Sequence, residues 1–196
     1  MKITRDSLFS LEEYAQRRSE IRTEVMAHKK PRRIALGEHA TLLFEDRMTM
    51  QYQIQEMLRA EKIFESDAIQ EELDTYNPLV PDGENWKATL LIEYTDVEQR
   101  QLALAKMPGV EHKVWVQVGD AEKIYAIANE DLDRSNDEKT SAVHFLRFEL
   151  GAENCLSLDS GTELLMGIDS KELPYDIVVR GESRASLVAD LELFST

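Results

Sequence analysis

The chain has 196 residues, 31% of them charged and 42% hydrophobic, a mix that excludes the disordered and membrane classes. Thirty-eight acidic against 23 basic residues leave a net charge of -15, which repels phosphate backbones and excludes nucleic acid as a main partner. Cys155 is the single cysteine, so one chain holds no internal disulfide, no CxxC redox pair and no cysteine-ligated iron–sulfur cluster.

In chain order, SLEEYAQRRSEIRTEVMAHKK opens with a capping box of Ser10 and Glu13. It continues at helical spacing through Leu11, Tyr14, Ile21 and Val25 until Pro31 stops it. RRIALGEHATLLFED predicts a hairpin of two short strands around Gly37. RMTMQYQIQEMLRAEKIFE predicts a helix from about 49 to 65, and SDAIQEELDTY a second one that ends before Pro78 and folds back on the first. WKATLLIEY, residues 86–94, reads as a strand. TDVEQRQLALAKMPG reads as a helix boxed by Thr95 and Glu98 with Gly109 just past its end. KVWVQVGDAEKIYAIA is a hairpin turning at Gly119 and Asp120. After the polar stretch NEDLDRSNDEKTS come the strand AVHFLRFEL, a weaker strand ELLMGID and a closing helix in SRASLVADLELF.

Strands that arrive in hairpins, with helices at irregular points, predict an α+β fold: a largely antiparallel mixed sheet with flanking helices and an N-terminal helical part. One domain over 1–196 is expected, with the helical and hairpin part at about 1–80, the main sheet at about 86–170 and the C-terminal helix at about 182–194. No apolar run approaches the ~18 residues of a membrane span, and the opening MKITRDSLFSLEEYAQ lacks the apolar core of a signal peptide. A cytoplasmic protein without membrane contact is the expectation.

One residue is out of place in this pattern. Met50, Ile54, Met57, Leu58 and Phe64 form one apolar stripe at helical spacing, and Glu61 falls in its centre. Three states satisfy a carboxylate there: a buried ion pair with Arg147 or Arg47, a turn open to solvent, or a raised-pKa group lining a polar pocket. The opposite band, Tyr52, Glu56, Arg59 and Ile63, calls for a cover from the 67–76 helix or another subunit. In SAVHFLRFEL the alternation places His144, Leu146 and Phe148 on one side and Phe145, Arg147 and Glu149 on the other. His144 is then either a hydrogen-bonded core residue or a ligand or base.

HKKPRR, with Lys29, Lys30, Arg32 and Arg33, is the one concentrated basic patch, read either as a solvated turn or as a dock for an anionic ligand or acidic partner. The four histidines show no HxH, HExxH or Glu-x-x-His spacing. Glu38, His39, Glu45 and Asp46 crowd one hairpin and would bind a metal only if gathered with Glu61, so neither metal nor cofactor is expected.

At HKKPRRIALGEHATLLFEDRMTMQYQIQEMLRAEKIFE, IQEELDTYNPLVPDG, KATLLIEY and KTSAVHFLRFEL the chain resembles domain-of-unknown-function family 3501, a bacterial family. The likeness is close over about residues 2–150 and looser in LLMGIDSKELPYDIVVRGESRASLVADL. The resemblance implies no activity and no catalytic residue. It does imply a gene setting beside rubrerythrin-like proteins and iron–sulfur proteins similar to heterodisulfide-reductase or anaerobic glycerol-3-phosphate dehydrogenase subunits.

Two functions follow. The first is a non-catalytic accessory or assembly partner of such a redox system, homo-oligomeric, docking proteins through its acidic surface and the HKKPRR patch. The alternative is a small-molecule-binding enzyme or sensor with a polar pocket around Glu61, Arg47, Arg147 and His144.

Overall fold

The computed structural model describes residues 2–130 and 139–191. Most of the polar stretch between the hairpin and the AVHFLRFEL strand, and the end of the closing helix beyond 191, lie outside the described residues.

Helix α1 (Leu11–Lys29) starts at the Ser10 box: the Ser10 hydroxyl accepts from the Glu13 amide, and the Glu13 carboxylate accepts from the Ser10 amide. Strands β1 (Arg33–Ala35) and β2 (Ala40–Glu45) follow as a hairpin, with Gly37 at a φ of 81° in its turn. Helix α2 (Arg47–Glu61) begins two residues before the expected start, because Asp46 accepts from the Thr49 amide at 2.8 Å. It ends early because Lys62 turns left-handed. Helix α3 (Ser66–Tyr76) then packs back on it.

Strand β3 (Asn85–Ile92) and helix α4 (Val97–Ala105) come next. The cap of α4 is Asp96, which accepts from the Gln99 amide at 2.8 Å, and not the Thr95 box expected from the sequence. The chain continues through β4 (Val114–Val118), β5 (Ile124–Tyr125), β6 (Ile127–Ala128) and β7 (Val143–Glu149). It closes with α5 (Gly151–Asp159), β8 (Leu164–Ile168), β9 (Tyr175–Val179) and α6 (Gly181–Val188). Periodicity had not marked α5 or β9.

The fold is α+β, but among the described residues the strands form two sheets and not one. The first has the order β1-β2-β3-β7-β6 and the second β5-β4-β8-β9, and every pairing within each is antiparallel. The expected hairpin after Gly119 splits. Its return strand pairs with β4 only through Tyr125, Ala126 donates to Val114 O, and the chain then crosses to pair Ile127 with Arg147. A strand that changes sheets makes the corner of a sandwich.

Leu42, Phe44, Trp86, Leu90, Leu146 and Phe148 from the first sheet and Val114, Val116, Leu164 and Met166 from the second form one buried core. Each such side chain contributes roughly 1.5–3 kcal/mol. Trp86 Nε1 donates to Leu187 O at 3.0 Å, which ties α6 to that core. A second, smaller core joins Met50, Ile54 and Leu58 of α2 to Ile69 and Leu73 of α3 and to Ile3. Among the described residues no helix is long and apolar enough to cross a membrane.

Candidate functional site

Pro31 ends α1 and drops Arg32 into the protein, where it is 1% exposed. All of its donor nitrogens are engaged. Nε donates to Phe44 O at 3.0 Å and Nη2 to Glu45 O at 3.2 Å, while Nη1 and Nη2 grip the Asp190 carboxylate at 3.0 and 2.5 Å. Asp46, the cap of α2, lies 3.5 Å from Nη1 and 2.5 Å from His28 Nε2.

Burial acts to raise both carboxyls. For Asp46 the Arg32 charge, the Thr49 amide and His28 outweigh it, and the group sits below its ordinary value. For Asp190 burial wins over Arg32, and the group sits above it. One buried guanidinium thereby joins the α1–β1 connection, the start of α2 and the segment after α6.

Asp46 and Asp190 form the charged floor of a cleft of ≈ 540 Å³ between α1, the first half of α2 and the Val80–Gly83 loop. Its apolar walls are Phe9, Ile21, Met48, Tyr52, Val80 and Pro81. Two arginines border it. Arg17 lies over the Phe9 ring at 4.6 Å. Arg47, in the first turn of α2, donates from Nη1 to Gln51 Oε1 at 2.9 Å, and its buried Nε has no hydrogen-bond partner among the described residues.

The walls are held by hydrogen bonds among the lining residues and those behind them. Gln55 pairs with both backbone groups of Phe9, at 2.6 and 3.3 Å, and Gln51 donates to Ser7 O at 2.5 Å. Behind them Glu56 accepts from Tyr14 Oη at 2.6 Å and from Arg18 at 2.7 and 2.8 Å. The Arg18 hydrogen bonds lead in holding the Glu56 carboxyl down at about 2, and burial is what pushes the Tyr14 phenol up. The opposite band of α2 is therefore covered by α1 through Tyr14 and Arg18, not by the 67–76 helix, which takes the apolar stripe. Tyr52 is buried with Lys29 Nζ 5.9 Å from its ring, Arg59 is exposed, and Ile63 packs toward the α2–α3 core.

Glu61 does not meet an arginine. It is exposed at the last position of α2, and its charge acts on Glu72. The stripe presumes a helix reaching 65, but Lys62 ends the helix at that point and leaves Phe64 67% exposed. Arg147 instead takes Glu130 through two bonds of 2.7 and 2.8 Å, and also Glu149, on the outer face of the first sheet.

His144 faces the sandwich core as the alternation predicts and is 0% exposed. Its Nε2 lies 3.0 Å from Ser141 O, so that nitrogen carries the hydrogen, and its Nδ1 is 3.2 Å from the Asn129 amide. Glu61, Arg47, Arg147 and His144 thus occupy four separate places: the exposed end of α2, the edge of the α1–α2 cleft, the outer face of the first sheet and the core.

Nor is HKKPRR one solvated patch. Arg32 is interior, Arg33 pairs with Glu93 at 3.0 Å, and only Lys30 extends unpaired into solvent. Of the metal candidates, Glu38 is exposed, and His39 stacks on Tyr94 at 4.0 Å. Glu45 accepts from Thr89 at 3.1 Å, and Asp46 serves Arg32 and His28. Among the described residues no three His, Cys, Asp or Glu side chains gather to hold a metal ion.

The family model described as "Protein of unknown function (DUF3501)" matches residues 2–191. The chain belongs to this family. A crystal structure of a novel protein of unknown function from Burkholderia pseudomallei K96243 is similar to this DUF3501 chain at 51% identity, over 98% of this chain and 100% of that one, with a TM-score of 0.92. No curated protein matches the sequence.

In this DUF3501 protein the residues that sequence reasoning missed are Asp190, Glu111 and Lys87. Asp190 sits in a segment read only as helical. Glu111 is 1% exposed, lies 3.9 Å from His144 Nε2 and accepts from Thr140 Oγ1 at 3.2 Å. It lies inside the short 3-10 turn Val110–Lys113, and no pattern in the sequence marked it as buried.

Proposed function

We propose that the protein is a cytoplasmic, non-catalytic accessory or assembly partner, and that the cleft between α1 and α2 seats a segment of another protein. The observation that carries this reading is Arg47, whose buried Nε has no partner at the edge of an apolar wall. Asp46 and Asp190 hold Arg32, and Asp82 accepts from the Glu84 amide and the Asn85 side chain; of the other charged residues lining the cleft, two are cations, Arg17 and Arg47, against one acid, Glu24. A side chain or chain end carrying a carboxylate beside an apolar group complements what remains.

The family resemblance supplies the partner class, rubrerythrin-like and iron–sulfur redox proteins, and the metals of such a system then belong to those partners. A second copy of this chain is the other occupant that the same face would take, which makes the protein a homo-oligomer.

Biolayer interferometry with purified rubrerythrin-like and iron–sulfur proteins from the same cells tests this reading, with native mass spectrometry reporting self-association. Micromolar binding that weakens with added salt and is lost in Arg47→Gln is expected. No binding to either protein and a monomeric mass would overturn it.

A further inference from the structure

A second cavity, of ≈ 670 Å³, lies on the far side of the first sheet from the sandwich core, under the end of α3. Its floor comes from β3 and β7, where Lys87 and Arg147 are direct cross-strand neighbours. Its walls include Tyr76, Pro78, Leu79 and Phe145.

Two cations side by side repel each other unless each has a partner. Arg147 has two, Glu130 and Glu149. Lys87 has none: among the described residues its ammonium makes no hydrogen bond and no ion pair, although it is half-buried. Its neighbour on the other strand, Glu45, accepts from Thr89 instead. The remaining acid of the cavity, Asp74, accepts from Gln70 at 2.8 Å. Burial first, and the Arg147 charge second, lower the Lys87 pKa, and the opposing charges of Glu130, Asp82 and Glu149, none of them hydrogen-bonded to the ammonium, do not outweigh them.

We propose that this cavity binds a small organic carboxylate with an aromatic or branched apolar body. The carboxylate accepts from the Lys87 ammonium, and the body lies against Tyr76, Leu79 and Phe145. The match is one of chemistry. A half-buried ammonium with three free donors takes an acceptor-only anion, and rings and methyl groups above it take an apolar remainder. The site is independent of the α1–α2 cleft.

The test is isothermal titration calorimetry of the full chain with phenylacetate, its neutral analogue phenylacetamide, and the branched carboxylate 4-methylpentanoate. Saturable one-site binding of at least one carboxylate is expected. Binding should be about tenfold weaker for phenylacetamide and about tenfold weaker in Lys87→Met and Lys87→Gln, as befits one charge-assisted hydrogen bond. Lys87→Arg should keep most of the affinity, and Arg47→Gln should leave it unchanged, which separates this site from the partner cleft. Equal binding of acid and amide, unaltered affinity in the folded Lys87 variants, or no binding of either carboxylate would overturn the proposal.

Discussion

Arg32 and Asp190, 158 residues apart in the chain, are joined by two hydrogen bonds of 3.0 and 2.5 Å inside the protein. The same guanidinium reaches Asp46 and two backbone carbonyls, so the start of α2 and the segment after α6 depend on one side chain. Removing it leaves the half-buried Asp190 without its counter-charge and Asp46 with His28 alone. Arg32→Met should therefore lower stability in urea by about 3–5 kcal/mol. Lys30→Ala should stay within about 0.5 kcal/mol of the parent, as an exposed residue does. Equal effects of the two would show that the network does not hold the fold.

The pair Glu61 and Glu72 makes an opposite prediction. Burial first, then the charges of Glu61 and Glu71, raise the Glu72 pKa above its ordinary 4.5. A carboxyl raised in the folded state binds its proton more tightly there than in the unfolded chain. Stability is therefore unaffected in strong acid and declines as pH rises through 4.5 toward the folded value. Glu61→Gln should raise the melting temperature at neutral pH, leave it unchanged in strong acid, and lower the Glu72 pKa in a carbon-detected NMR titration. A fall in melting temperature at neutral pH would instead mean that Glu61 has a stabilising partner.

Glu56 has the reverse sign. Arg18 and Tyr14 hold its carboxyl at about 2, below the ordinary 4.5. Its contribution is complete above pH 4.5 and is lost as pH falls through about 2. Thermal melts across that interval should show a steeper acid slope for the parent than for Glu56→Gln, with the two curves converging at the acid end. Parallel slopes would place the acid sensitivity elsewhere.

On the second sheet Trp115 lies across its strand partner Gly167. A Cβ at Gly167 would stand 2.4 Å from the Trp115 ring and 2.4 Å from Tyr175 O, and the second of these is backbone and cannot rotate away. Gly167→Ala should destabilise by about 1–3 kcal/mol through overpacking, measured by urea unfolding. The double variant Gly167→Ala with Trp115→Leu should recover part of that loss, because the ring clash is then relieved. A Gly167→Ala variant as stable as the parent would refute the close approach.

How much of this was legible beforehand differs residue by residue. The Ser10 box, the turn at Gly37 and the inward side of His144 are signals carried within a few neighbouring residues, and each stands where the chain pattern put it. Glu61 misled because helical spacing does not report where a helix stops. One left-handed residue, Lys62, turned the supposed centre of a buried stripe into an exposed end. HKKPRR misled for a different reason: adjacent arginines look alike in sequence, yet one faces solvent and the other the interior.

By itself the sequence determined the α+β class, most of the helices and strands, and the acidic character of the chain, because caps, periodicity and net charge need no knowledge of distant residues. The tertiary structure alone decided that the strands divide into two sheets, that Arg32 answers Asp190, that Arg147 answers Glu130 and Glu149, and that Arg47 and Lys87 are left over. Charge pairing acts over a few ångströms of space, and which groups come that close is set by strand pairing and packing between segments far apart in the chain.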